Sequence, residues 1–158
     1  PLSHIFDVSF KSGCLPRCWK QAHVLPIHKK GATNNPNNYR PISLTSTCCR
    51  AMERLINNNI RNYLMTNSLI CEHQHGFIRR RSSATNILEC LHDWTTNLQV
   101  RGVTDVIYFD FKKAFDSVSH SKLLTKIEDY GITGNLLTWL RSLLNKRTQC
   151  ETRSCDFL

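Results

Sequence analysis

The stretch Val106-Ile107-Tyr108-Phe109-Asp110-Phe111-Lys112-Lys113-Ala114-Phe115-Asp116, VIYFDFKKAFD, runs four apolar residues straight into an aspartate, with a second aspartate six residues later. Val106 to Phe109 is β-branched and aromatic and is bounded upstream by Arg101-Gly102. That composition predicts a buried strand in a sheet covered on both faces. Alternation places Val106, Tyr108 and Asp110 on one face, and Ile107, Phe109 and Phe111 on the other. An unpaired carboxylate cannot simply be buried, because desolvating its charge costs several kcal/mol or forces it to neutralise. Asp110 is therefore expected at a solvent-reachable strand end or on a cation. Mg²⁺, which takes oxygen ligands from one or two carboxylates plus phosphates, suits it. A turn-capping role for Asp110 is an equal alternative. Asp116 is expected to start the next helix as its N-cap.

A chain of 158 residues is one domain or part of one, able to bury roughly 70% of its unfolded surface. No apolar run approaches the roughly 20 residues that span a bilayer. Pro1-Leu2-Ser3-His4 offers neither a basic leader nor an initiator Met, which suggests a chain cut from something longer. The net charge of +9 lies entirely in the first half: residues 1–82 hold 12 Lys/Arg against Asp7, Glu53 and Glu72, whereas residues 83–158 hold nine of each sign. Such asymmetry favours a face turned toward a polyanion over a merely basic surface. The eight cysteines show no paired C-x₂-C framework, and a chain of this size needs no staples. They are expected to be reduced, in an intracellular protein. A zinc site of Cys14, Cys18, His23 and His28 is disfavoured because Pro16 and the turn-then-strand pattern interrupt it.

Outward from the opening stretch, helical spacing marks residues 1–13, with Gly13 as the stop, and a helix carrying Met52, Leu55, Ile56, Ile60, Tyr63 and Leu64 after Ser46 or Thr47 as N-cap. It marks another from about Ser83 to Gln99. The last two carry Leu123, Leu124 and Ile127, then Leu136 to Leu144, with Lys146 and Arg147 at the final helix's negative end. Ala22 to His28 reads as a strand whose Pro26 suits an edge or bulge. It leads through Lys29-Lys30-Gly31 and an Asn-rich loop to Tyr39-Arg40-Pro41-Ile42-Ser43-Leu44. This is a hairpin-like excursion with cations at its base, able to close over a phosphate chain with Lys as point charge and Arg as fork. Residues 71–83, CEHQHGFIRRRSS, break at Gly76, anchor at Phe77 and carry three arginines.

Taken together, these boxes resemble the reverse transcriptases of LINE-type (non-LTR, Jockey-like) retrotransposons. D-F-K-K-A-F-D is similar to their motif A. W-K-x-A-x-V-x-P-I-x-K-K-G with N-Y-R-P-I-S-L is similar to the first fingers box, met from Trp19 to Leu44. Q-x-G-F-x-x-x-R-S is met by Gln74, Gly76, Phe77, Arg81 and Ser82. H-x-x-L-L-x-K-I with G-I-x-G-x-L-L-x-W-L follows, with Leu123, Leu124, Lys126, Gly131, Ile132, Gly134, Trp139 and Leu140 in place. The resemblance covers roughly residues 16–149 and stops matching in the tail from Glu151 to Leu158.

The resemblance implies an α/β (α+β) fold, helix-rich with a small sheet, in which residues 1–100 are polymerase fingers. Residues 101–150 would be a partial palm with the motif A strand, and 151–158 a divergent or truncated tail. It implies Asp110 as the catalytic metal-binding aspartate, Phe111 as the residue whose carbonyl faces the metal, and Phe115 as the aromatic gate against the nucleotide 2′-hydroxyl. Lys29, Lys30, Arg40 and Arg81 would contact the nucleotide, and Arg79 and Arg80 the nucleic acid. Many family members carry Arg directly after the Phe of the second box, where this chain has Ile78. The implied cofactor is Mg²⁺ or Mn²⁺, and no zinc is expected. The implied partners are an RNA template, a DNA primer and dNTPs, with no membrane and with an endonuclease domain in the parent polyprotein. The family's Tyr/Phe-x-Asp-Asp box does not occur within these 158 residues, so the chain alone is expected not to polymerise. The competing expectation is a non-catalytic basic nucleic-acid-binding remnant of a mobile element.

Overall fold

The computed structural model describes residues 1–151. Helix α1 (Leu2–Ser12) ends where Gly13 turns left-handed, with φ 65°. A Cβ at Gly13 would fall 2.6 Å from the Thr138 side chain, so both the backbone angle and the close approach require glycine. A short 3₁₀ turn, Arg17–Trp19, leads into β1 (Gln21–His28), and a second one, Pro36–Asn38, precedes β2 (Tyr39–Thr45). Helices α2 (Thr47–Thr66), α3 (Ser83–Gln99), α4 (His120–Asp129) and α5 (Gly134–Leu144) follow, and β3 (Thr148–Glu151) closes the described chain. The fold is mixed α/β, helix-rich around one three-stranded sheet of order β2-β1-β3.

β1 pairs antiparallel with β2, in the expected hairpin, and parallel with β3. Pro26 sits opposite Pro41. The Lys29 N–H donates to the Asn38 carbonyl at 2.7 Å, so by alternation the Pro26–Pro41 pair is one of the non-hydrogen-bonded pairs. On its other side β1 meets β3 from Gln21 to Val24. Among the described residues Pro26 therefore has no ladder partner on that side, which suits a residue without an N–H.

The described residues form two compact units, residues 1–62 with those from 118 onward, and Tyr63–Ser117. In the first unit Leu15, Trp19, Cys49, Met52, Ile56, Trp139 and Leu143 form the core, with Phe6, Phe10 and Ile60 packed against it. Trp139 and Cys49 are fully buried. The Trp139 indole N–H donates to Ser9 Oγ at 3.1 Å, and Ser9 in turn donates to the Cys14 carbonyl at 2.8 Å. That chain satisfies the polar tip a buried indole brings with it. Leu55, assigned to the apolar stripe of α2, is 53% exposed. At the end of α5, Arg147 lies 3.9 Å from Glu53 of α2, so a carboxylate rather than the α5 carbonyls faces its charge.

In the second unit α3 occupies the expected residues, its start fixed by a capping box in which Ser82 and Thr85 bond each other's backbone N–H. Its stripe is not core: Ile87, Leu88, Leu91 and Leu98 are exposed. The expected buried strand at Val106–Phe109 is absent. Residues 103–111 carry no strand, and Tyr108 and Phe109 are each 83% exposed. An extended segment becomes a strand only when its N–H and C=O groups find a ladder, and the described sheet ends at β2 and β3. Asp116 is not an N-cap either. It lies in a turn run closed by the Ser117 N–H on the Lys113 carbonyl, and α4 begins after Ser119.

Candidate functional site

The hairpin carries three of the predicted residues. Arg40 stands opposite Ile27 across β1 and β2. Lys29 continues the same face one step past β1, making it a diagonal neighbour of Arg40. The tip that joins them is tied by its own bonds. Asn38 donates to the Ala32 carbonyl at 2.8 Å, the Tyr39 hydroxyl to the Thr33 carbonyl at 2.8 Å, and a His28 ring nitrogen lies 3.0 Å from the Gly31 carbonyl. Gly31 has φ 84°, and a Cβ there would meet Asn38 at 2.7 Å. Lys29, Lys30 and Arg40 are all exposed and form no salt bridge among the described residues. Two unpaired cations side by side on a braced hairpin leave a place for an anion.

The remaining predicted residues lie in the second unit. Asp110 and Phe111 are adjacent and exposed, and Phe115 belongs to the turn run that follows. The Phe115 ring meets Phe77 edge-on, with centroids 6.1 Å apart at 86°. Phe77 is thus no buried anchor: it is 78% exposed. The chain reversal expected of Gly76 falls instead on Phe77 (φ 62°) and Arg80 (φ 66°), a conformation that costs a non-glycine residue about 1 kcal/mol or more. Arg79 and Arg80 project from this loop, exposed. Arg81 is turned inward along the loop, its Nη1 donating to the Glu72 carbonyl and, at 3.0 Å, to the Gln74 carbonyl. Ile78, which stands where an arginine is common, lines a cleft of about 330 Å³ with Met65, Ile70 and Arg81.

Sequence reasoning missed the brace behind this loop. Glu89 of α3 takes His73 at 3.0 Å on one oxygen and His75 on the other, and His75 also reaches the Thr85 hydroxyl at 3.0 Å. The hydrogen bond to His75, then that to His73, holds the Glu89 carboxyl below its ordinary range. The signal was present: His73 and His75 are two apart, and Glu89 lies one helical turn beyond the capping Thr85. In the first unit, burial and then Glu53 push the Cys49 thiol up to about 12, so it is a packing group rather than a nucleophile.

Among the described residues no three His, Cys, Asp or Glu side chains gather to hold a metal ion, whether around Asp110 or around Cys14 and Cys18. A single carboxylate falls short of the oxygen set a divalent cation takes. Asp110 is exposed and forms no salt bridge among the described residues.

Residues 27–157 match the family described as reverse transcriptase (RNA-dependent DNA polymerase). That match runs past residue 149, where the signature motifs end; β3 falls there, a pairing strand with no signature side chain. The chain is 28% identical over 153 residues to a probable RNA-directed DNA polymerase from transposon BS of Drosophila melanogaster, covering 92% of this chain and 17% of the relative. It is 28% identical over 148 residues to the RNA-directed DNA polymerase from mobile element jockey of the same organism, covering 93% and 16%. It is 30% identical over 129 residues to a Pol polyprotein from the type-1 retrotransposable element R2 of Popillia japonica, covering 80% and 18%. The chain thus spans about a sixth of the length of the curated relatives it matches. The matched span contains the boxes around Asp110, Arg40 and Gly76, and the chain belongs to the reverse transcriptase family, in its LINE-type (non-LTR retrotransposon) branch.

Proposed function

We propose that the chain is the fingers and first palm part of an RNA-directed DNA polymerase, which extends a DNA primer on an RNA template from dNTPs. The observation that carries this reading is the D-F-K-K-A-F-D box at Asp110–Asp116 inside a family match over residues 27–157. In this reading residues 1–100 are fingers, residues 101–150 palm, and Asp110 with the Phe111 carbonyl supplies part of a site for Mg²⁺ or Mn²⁺. Two ions about 4 Å apart clamp the attacking and leaving oxygens in such transfers. The described residues do not hold them alone, so the other ligands come from elsewhere in the polymerase.

The roles assigned to this chain's own side chains rest on the family resemblance, and their exposed placement supports them. Lys29 and Arg40, on one face of the hairpin, would hold the incoming triphosphate, with Lys30 beside them. The flat ring of Phe115 would sit against the sugar and exclude a 2′-hydroxyl. Arg79 and Arg80 would lie on the nucleic-acid backbone. Arg81 would contact the nucleotide while bracing its own loop, so its loss would disturb positioning as well as binding. A second reading, a basic binding module without catalysis, is favoured by the lone carboxylate and the unpaired surface cations.

Primer extension on an RNA template by the 158-residue chain tests whether its site is complete. The proposal expects no product from the chain alone, because one carboxylate cannot fix both ions. Template-dependent product that Asp110→Ala abolishes would show a complete site and overturn the statement that the chain supplies only part of one.

A further inference from the structure

Helix α2 buries one face and carries arginines on another, where Arg50 and Arg54 are exposed and Arg61 is half-buried. Cys49, Met52 and Ile56 are buried against the core, with Ile60 beside them. At about 100° per residue, Arg50, Arg54 and Arg61 fall within an arc of about 40° on a different side of the helix, far from that core line. Asn57 and Asn58 flank them. At about 1.5 Å per residue the three guanidinium groups are spread along about 16 Å of helix. Glu53 is the one acid in α2, and it is engaged elsewhere, accepting from Cys49 at 3.5 Å and facing Arg147 at 3.9 Å. Arg50 contacts the Thr47 hydroxyl at 3.4 Å, and no salt bridge neutralises Arg50, Arg54 or Arg61 among the described residues.

Three arginines in line, without a carboxylate, repel one another and gain nothing from folding. Such a row is stabilised by a linear polyanion whose phosphates follow the helix, since each guanidinium is a planar fork for a phosphate and the neighbouring Asn amides are further donors. A row of this length passes beside several successive phosphates of a strand.

We propose that the Arg50–Arg54–Arg61 face of α2 is a binding surface for the phosphodiester backbone of single-stranded RNA, made of residues other than those of the hairpin and the arginine loop. The choice of RNA rests on the polymerase reading; the surface itself depends on neither Asp110 nor any metal. It holds the backbone by charge, because its guanidinium groups match phosphates and no aromatic ring stands in the row to stack a base.

The test is fluorescence anisotropy of a labelled oligouridylate with the 158-residue chain, titrated across salt without dNTP or divalent cation. Changing Arg50, Arg54 and Arg61 together to Gln should weaken binding about tenfold or more and lower the salt slope by about 2, three contacts at about 0.7 each. Arg54→Gln alone should lower the slope by about 0.7, a readout that stands should the triple variant misfold. The corresponding triple change to Lys keeps the charges and should keep the slope. Lys122, Arg141 and Lys146 changed together to Gln remove the same charge from other exposed positions and should leave binding nearly intact. Parent-like affinity and slope in both Arg50/Arg54/Arg61→Gln and Arg54→Gln, or an equal loss in the control triple, overturns the proposal. Either result leaves the Asp110 reading standing, and loss of that reading leaves this surface to be judged on its own.

Discussion

The two units differ in what holds them. Every buried apolar side chain belongs to the first unit, from Leu15 and Trp19 to Trp139 and Leu143. The second unit, Tyr63–Ser117, contains Asp110, Phe115 and the three arginines, yet most of its large apolar side chains from Phe77 to Phe115 are exposed, Ile78 and Trp94 being half-buried. It is tied by polar contacts: the Ser82–Thr85 capping box, Glu89 with His73 and His75, and Arg81 on its own loop carbonyls. Burial of apolar area dominates stability, whereas exposed polar pairs contribute little each. The comparison teaches that the candidate metal, gate and arginine-loop residues are not the residues that make this chain fold, whereas box residues such as Trp19 and Trp139 serve the core.

That contrast can be broken by substitution. Trp139→Ala should produce the largest effect, about 3–5 kcal/mol of unfolding free energy by urea titration, since it empties the centre of the core and strands Ser9. A loss below about 1 kcal/mol would show that the first unit is not organised around this indole. Next, Ser9→Ala should cost about 1–3 kcal/mol by leaving the buried Trp139 N–H without an acceptor. Cys49 reports on the same core. With its thiol pushed up to about 12, it should resist alkylation at pH 8 until the core opens, while exposed Cys14, Cys18 and Cys71 react. Labelling of Cys49 as fast as Cys14 would contradict the burial.

Effects in the second unit should be smaller and local. Glu89→Gln should speed amide exchange across residues 71–81 without changing exchange in α5. Because the Glu89 carboxyl is held below its ordinary value near 4.5, its contribution is fully present above that pH. It is lost as pH falls through the lowered value. The loop should therefore loosen on acidification in the parent and not in the Gln variant, whereas exchange that ignores both changes would remove the brace from the account. Phe109→Ser should be the mildest, within about 0.5 kcal/mol, since the ring is already in water. A cost of several kcal/mol would mean that Phe109 is buried in solution.

Local signals were legible in the sequence. The bounds of α3 follow from a cap and a stripe, the β1–β2 hairpin from its strands and Asn-rich tip, and α1 from its spacing and Gly13. What failed is what needs a partner distant in sequence. Val106–Phe109 has the composition of a buried strand but no ladder among the described residues, and Ser9 looks like an ordinary polar side chain until Trp139 reaches it. The site was legible as residue types and family boxes. Its packing was not: Phe77 against Phe115 joins two loops 38 residues apart, and the spacing of His73, His75 and Glu89 hints at a brace without showing that the three meet.

The most direct test of the central claim is to replace the matching segment of the Drosophila melanogaster jockey polymerase with residues 27–149 of this chain and measure RNA-templated primer extension. The account predicts extension by the chimera and a loss on the order of a thousandfold in the same chimera carrying Asp110→Ala, the several kcal/mol a metal-held transition state supplies. A folded chimera that never extends a primer, or one that extends equally well after Asp110→Ala, would contradict the assignment of Asp110 as the carboxylate this chain brings to DNA synthesis.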